Sequence, residues 1–140
     1  MGYPVSRVVL VALLVAGCSS GQAPLADELD RYTDKGDGCQ QVVSAIAYAD
    51  AALKPAGQEP YQVFDDEVRS KVAAVSGTIA LEVRDFPAEQ VLDQARVVAR
   101  LADDTAARSA RGERRVRLLR EYRREALDLV LGCARAVPGL

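Results

Sequence analysis

From Cys39 to Val137 the apolar residues return every three or four positions, and nowhere in that span do they alternate in the manner of a half-buried strand. That period excludes a sheet and calls for amphipathic helices, each burying one stripe. Cys39, Val42, Val43, Ile46, Ala49 and Leu53 form the first stripe, which ends ahead of Pro55-Ala56-Gly57. Asp37 and Gln40 stand at the spacing of a capping box and predict its start. A second stripe begins near Pro60 and runs through Tyr61, Phe64, Val68, Val72, Val75, Ile79 and Val83 to Asp85-Phe86-Pro87. Pro87 suits the first turn of a third helix, where its missing N–H would be unpaired anyway. Leu92, Ala95, Val98, Ala102 and Ala106 are expected on the buried side of that helix. Leu119, Tyr122, Ala126, Val130, Cys133 and Val137 make a fourth stripe, stopping at Pro138-Gly139. Between the third and fourth stripes Gly112 is the only helix breaker, so one long helix and two shorter ones both fit the period.

The chain has no histidine. This removes Ser-His and Cys-His nucleophile pairs, His-ligated zinc or haem, and the usual proton shuttle near neutral pH. With 140 residues and a formal net charge of −2 it holds one domain at most and lacks the basic excess of a nucleic-acid binder.

The amino terminus has a different character. After Arg7 an unbroken apolar run extends from Val8 to Ala16, followed by small residues, which is the build of a secretion signal. A bilayer span takes about twenty residues, so the run is too short for a permanent transmembrane anchor. Val15-Ala16-Gly17-Cys18 resembles the lipobox of bacterial lipoprotein precursors, in which an apolar residue, two small residues and a cysteine follow the apolar run. The resemblance covers the first eighteen residues and implies that the Cys18 thiol is diacylglycerylated and the peptide before it removed. Residues 1–17 are then a lipoprotein signal peptide and 18–36 an acylated tether. Two or three acyl chains of the palmitate kind make attachment durable where one is marginal.

Given that resemblance, the odd cysteine count resolves. Cys18 goes to the lipid, and Cys39 and Cys133 remain as one pair, expected to form a disulfide. The bridge also chooses between the two helical layouts. One continuous helix would carry Cys133 on the order of 60 Å from Cys39 at 1.5 Å per residue. A turn around Ser109–Gly112 brings the start of the first helix and the end of the fourth to the same end. Residues 37–140 are therefore expected to be an all-α, up-down-up-down four-helix bundle closed by one disulfide.

Charge is unevenly spread. Between Arg111 and Arg124 seven arginines face two glutamates, whereas from Cys18 to Asp104 sixteen acids face eight bases. Arg117, Arg120 and Arg124 fall on one side of the fourth helix. They form either a face for an anionic surface or protein partner, or a solvated face laced by Glu113–Arg117, Arg117–Glu121 and Arg124–Asp128 pairs. Asp65-Asp66-Glu67 suits a helix start better than a cation site, because adjacent carboxylates on a helix diverge by about 100°. Tyr48, Tyr61 and Tyr122 are expected to line the core with their hydroxyls at its edge. No metal, cofactor or catalytic set is expected.

Taken together, the residues and the lipobox resemblance predict a lipid-anchored exported protein on the extracytoplasmic side of the cell membrane, acting as a non-enzymatic interaction or assembly module. The alternative is a small-ligand or lipid-binding bundle. It would need Ala45, Ala49, Ala74, Ala99 and Ala102 to leave a cavity, whereas an interaction module would have a tight core and an exposed apolar or Arg-lined groove.

Overall fold

A computed structural model describes residues 38–137. Cys18, the 1–17 and 18–36 segments and Asp37 of the expected capping box lie outside the described residues. Four helices follow one another: α1 (Gly38–Ala52), α2 (Asp66–Leu81), α3 (Glu89–Ala106) and α4 (Gly112–Ala136), with a single 3-10 turn at Glu59–Tyr61 between α1 and α2. They form an up-down-up-down bundle, and there is no strand among the described residues. The α3–α4 turn falls where Gly112 allows it: Gly112 has φ +54°, a conformation that other residues rarely adopt.

Cys39 and Cys133 are fully buried and bridged, with their Cα atoms 5.6 Å apart. Around them Val42, Ala49, Val72, Val75, Val98, Ala102, Leu119 and Leu129 form a core of small and medium side chains. Gly38 opens α1 by donating its N–H to Asp85 O at 2.8 Å. A Cβ there would meet the Asp85 and Glu82 backbone at 3.1 Å, so glycine permits this close approach of α1 to the α2–α3 turn.

Two helix boundaries differ from the expected ones. The second helix starts at Asp66 rather than near Pro60, because Asp65 is extended and its carboxylate accepts the Val68 N–H at 2.8 Å, capping the helix there. Tyr61 and Phe64 thus belong to the loop before it, and Val83 follows the helix end at Leu81. Pro87 lies ahead of the Ala88 N-cap, not within the first turn of α3.

The buried stripe of α3 is also rotated. It comprises Val91, Ala95, Val98, Leu101, Ala102 and Thr105, with Leu92 and Ala106 only half-buried. The cause is position in the bundle: α3 packs against both α2 and α4, so its buried face is broader than a single stripe. In α4 the same effect puts Leu129 in the core and leaves Val130 at its edge.

Lengths decide what happens at the far end. At 1.5 Å per residue, the 25 residues of α4 reach about 15 Å further than the 15 of α1. The loop from Leu53 to Asp65 fills that difference and lays its 3-10 turn on α4. Gly57, with φ +92°, makes the reversal, and the Lys54 N–H donates to Gln62 Oε1 at 2.5 Å across the loop.

Candidate functional site

The arginines of α4 divide by direction. Arg115 is turned toward the bundle, stacks its guanidinium 4.7 Å from the Phe64 ring centroid and donates to Ala107 O at 3.4 Å. Arg69 of α2 faces the same ring at 6.0 Å and donates to Ala106 O at 3.0 Å. Together they place positive charge on the carbonyls at the C-terminal end of α3, where the helix dipole is negative; Arg69 meets Ala106 O, and Arg115 shares Ala107 O with the Ala110 N–H. Burial, reinforced by Arg69 and Arg111, holds the Arg115 pKa below its ordinary value. These two side chains hold the fold together.

Arg123 points along another side of α4, toward α1 and the loop, with only 15% of its side chain exposed. Its Nη2 donates to Asp50 Oδ1 at 3.2 Å, and its Nη1 stands 3.8 Å from Glu59 Oε1. Arg120 Nε stands 3.8 Å from the other Glu59 oxygen. Glu59 itself is buried. Its own N–H and that of Gly57 hold its carboxyl below the usual carboxylate range, outweighing burial, with Arg123 and Arg120 adding to the effect. The folded state therefore binds a proton here less readily than the unfolded chain does. The resulting stabilisation is present above the ordinary glutamate pKa and is lost as pH falls through the lowered one. Urea melts of wild type between pH 6 and 2.5 are expected to show this acid loss, and Glu59→Gln to flatten it; parallel profiles would count against the assignment.

All three arginines of the sequence-predicted face, Arg117, Arg120 and Arg124, line one cleft of about 900 Å³ beside the 59–64 segment, and Arg120 and Arg124 also rim a second groove between α1 and α4. The i,i+4 pairs Glu113–Arg117, Arg117–Glu121 and Arg124–Asp128 do not form. Glu59 on the neighbouring loop attracts Arg120, and Arg124 Nε lies 3.8 Å from Glu125, whose carboxylate also accepts Gln94 Nε2 of α3 at 2.6 Å.

The groove is the seam where the first and last helices meet only sparingly. It is an open groove of about 680 Å³ between Val43, Ile46 and Ala47 on α1 and Ala126, Leu127 and Val130 on α4. At its other end stand Asp50, Glu59, Arg120, Tyr122, Arg123 and Arg124. Tyr122 is buried, and its hydroxyl has no hydrogen-bond partner among the described residues; nor have Glu59 Oε2 and Arg123 Nη1. Burial raises the Tyr122 pKa, with Asp50 pushing the same way. An unmatched buried polar group costs on the order of 1–3 kcal/mol, and for Glu59 and Arg123 the charge each sees in the other at 3.8 Å offsets part of that cost.

The tyrosines thus part company. Tyr122 is in the core, whereas Tyr48 and Tyr61 are 62% and 73% exposed, Tyr48 under Lys71 at 4.8 Å and Tyr61 on the loop. None of the five alanines considered for an internal cavity lines the seam: Ala49 and Ala102 are packed in the core, Ala45 and Ala99 pack against it, and Ala74 is exposed. The acids also separate, Asp65 capping α2, Asp66 reaching Arg108 at 3.1 Å, Glu67 reaching Lys71 at 2.7 Å and Asp103 accepting from Ser76 at 2.9 Å. Among the described residues no three metal-ligating side chains converge.

Periodicity could not have found Asp50, Glu59 or Arg123 as a group, because 64 positions separate Glu59 from Arg123. The one available signal was Glu59 as the lone acid between Leu53 and Phe64, beside Gly57 and Pro60. The chain matches no family model, no curated protein and no solved structure, which leaves the chemistry of the seam as the ground for a function.

Proposed function

We propose that this chain is the precursor of an exported lipoprotein, anchored through acylated Cys18 on the extracytoplasmic side of the membrane, whose helical domain is a non-enzymatic interaction module. The observation that carries it is the α1–α4 seam: the core is packed, and the apolar and arginine-lined surface lies outside it, in an open groove. A packed core with an external groove suits binding of something presented alongside the protein. Confinement to one membrane layer raises the effective concentration of any such component, so a modest groove suffices. The buried Cys39–Cys133 bridge supports export, since disulfides persist in oxidising compartments. It also leaves Cys18 as the unmatched thiol.

Two measurements test this. Radiolabelled palmitate is expected to enter the wild-type chain and not Cys18→Ser, with membrane association lost in the variant; equal labelling or equal fractionation would remove the anchor. A photo-crosslinking residue at Leu127, on the seam, is expected to give an envelope adduct that the same residue at Asp93, on α3, does not. Matching adduct patterns would remove the seam from the function.

A further inference from the structure

We infer that the outer face of α4 pairs with the same face of a second copy of this chain, antiparallel, about a two-fold axis between the levels of Glu121 and Arg124. The pairing face is the side of α4 turned away from the core, not the seam, and it is independent of the anchor.

Arg117, Glu121, Arg124 and Asp128 follow one another at intervals of four, three and four. At about 100° per residue they fall within about 60° of one another on the helix. They lie opposite the stripe of Leu119, Tyr122, Ala126, Leu129 and Cys133 that α4 buries. Arg117, Arg124 and Asp128 are exposed and Glu121 is half-buried. Opposite charges four apart on a helix commonly pair with each other. Here Arg117, Glu121 and Asp128 enter no ion pair among the described residues. Arg124 has only its chain neighbour Glu125, at 3.8 Å, beyond the roughly 2.7–3.2 Å of an N–H···O bond, and Glu125 already accepts from Gln94 at 2.6 Å.

The order of signs selects the occupant. Along α4 the four charges run plus, minus, plus, minus, so reversing the helix about its midpoint sets every charge against its opposite. In an antiparallel pair Arg117 stands level with Asp128 of the second copy, and Glu121 with Arg124. The two-fold axis repeats each pair, as a self-complementary surface requires. A parallel pair in register would set like charge on like. One turn beyond Asp128, Leu131 is 47% exposed and falls level with Arg114 of the second copy, whose methylene stem can cover it. A polyanion or an anionic bilayer would meet Glu121 and Asp128 as well as the arginines, and the face does not fit it. Exposed ion pairs and a single helix-on-helix contact give a weak interface, which confinement of both copies to one membrane layer strengthens.

The full 140-residue chain carrying Cys18→Ser, with no lipid attached, is sedimented from about 10 µM to about 1 mM, the range a weak interface calls for. A monomer–dimer equilibrium is expected, weakened roughly fivefold or more when salt rises from about 0.1 M to about 0.5 M. Arg117→Asp and Asp128→Arg, each alone, are expected to weaken the dimer at least tenfold, because each sets two like-charged pairs across the axis. An equimolar mixture of the two variants is expected to dimerise again, since every Asp then faces an Arg. The chain carrying both substitutions is expected to dimerise as well. Both positions are exposed and unpaired, so circular dichroism and melting temperature are expected to stay as in the wild type. A monomer at every concentration, a dimer indifferent to both single variants, or a mixture that stays monomeric would overturn the inference. An adduct from Leu127 to a different protein, together with a monomer throughout, would overturn it while sparing the interaction module.

Discussion

Replacing Cys39 and Cys133 together by alanine is expected to lower the stability of the helical domain by about 2–4 kcal/mol. The bridge joins positions 94 apart, close to the two ends of the folded body. In the chain-entropy model so long a loop corresponds to about 4–5 kcal/mol, of which less is commonly realised. The core it supports is rich in valine and alanine, with Tyr122 the one fully buried aromatic among the described residues. A core of that kind leaves the bridge a large share of the total stability, usually about 5–15 kcal/mol. For a domain near 100 residues the melting temperature falls on the order of 10–20 °C. Thermal melts of the oxidised protein, the reduced protein and the double variant are the check, the last two expected to agree. A melt indifferent to reductant would mean that helix packing alone sets the stability. The bridge also bears on the seam. Because α1 and α4 otherwise touch little, it is the covalent pin at one end of the groove, and its loss is expected to loosen binding there before the other helix contacts change.

The second large effect is expected from Arg123→Met, at about 2–3 kcal/mol. Removing one partner of a buried ion pair commonly costs about 3–5 kcal/mol, because the other charge stays behind in a poor solvent. The lower figure reflects Arg120, which still stands by Glu59, and Asp50, which is 62% exposed and returns to water cheaply. Glu59→Gln removes the stranded charge. The double variant Arg123→Met with Glu59→Gln is therefore expected to be less destabilised than the sum of the two singles, and chemical denaturation of the four proteins measures that coupling. Strict additivity would mean that the 3.8 Å contact carries no energy and that Arg123 serves only Asp50.

Helical class was legible at once, because a three-to-four spacing of apolar residues is a local property and survives whatever the helices pack against. Bundle order was legible for a more contingent reason. Gly112 is a weak breaker, and it was the pairing of Cys39 with Cys133 that required a turn beside it. The start of α2 was less legible. Tyr61 and Phe64 continue the helical spacing by accident, while Asp65 caps a helix that begins at Asp66, six residues after the start near Pro60 which that spacing suggests. Leu101 and Thr105 are buried because α3 has two neighbours, a circumstance no window of sequence contains.

The arginine-rich stretch shows the same division. Its charge and its place opposite Leu119 and Ala126 were written in the sequence. Which guanidinium stacks on Phe64, which meets Glu59 and which faces outward depended on where the 53–65 loop came to rest. Sequence alone determined that this chain makes amphipathic helices, that two cysteines close them, and that charge collects on the last one. Tertiary structure decided that α4 outreaches α1, that a loop carrying Glu59 fills the difference, and that an apolar seam ends where Glu59 and Asp50 meet the arginines of α4. The physical reason is range: helix periodicity acts over a few residues, whereas a groove is made of side chains brought together from distant positions by packing.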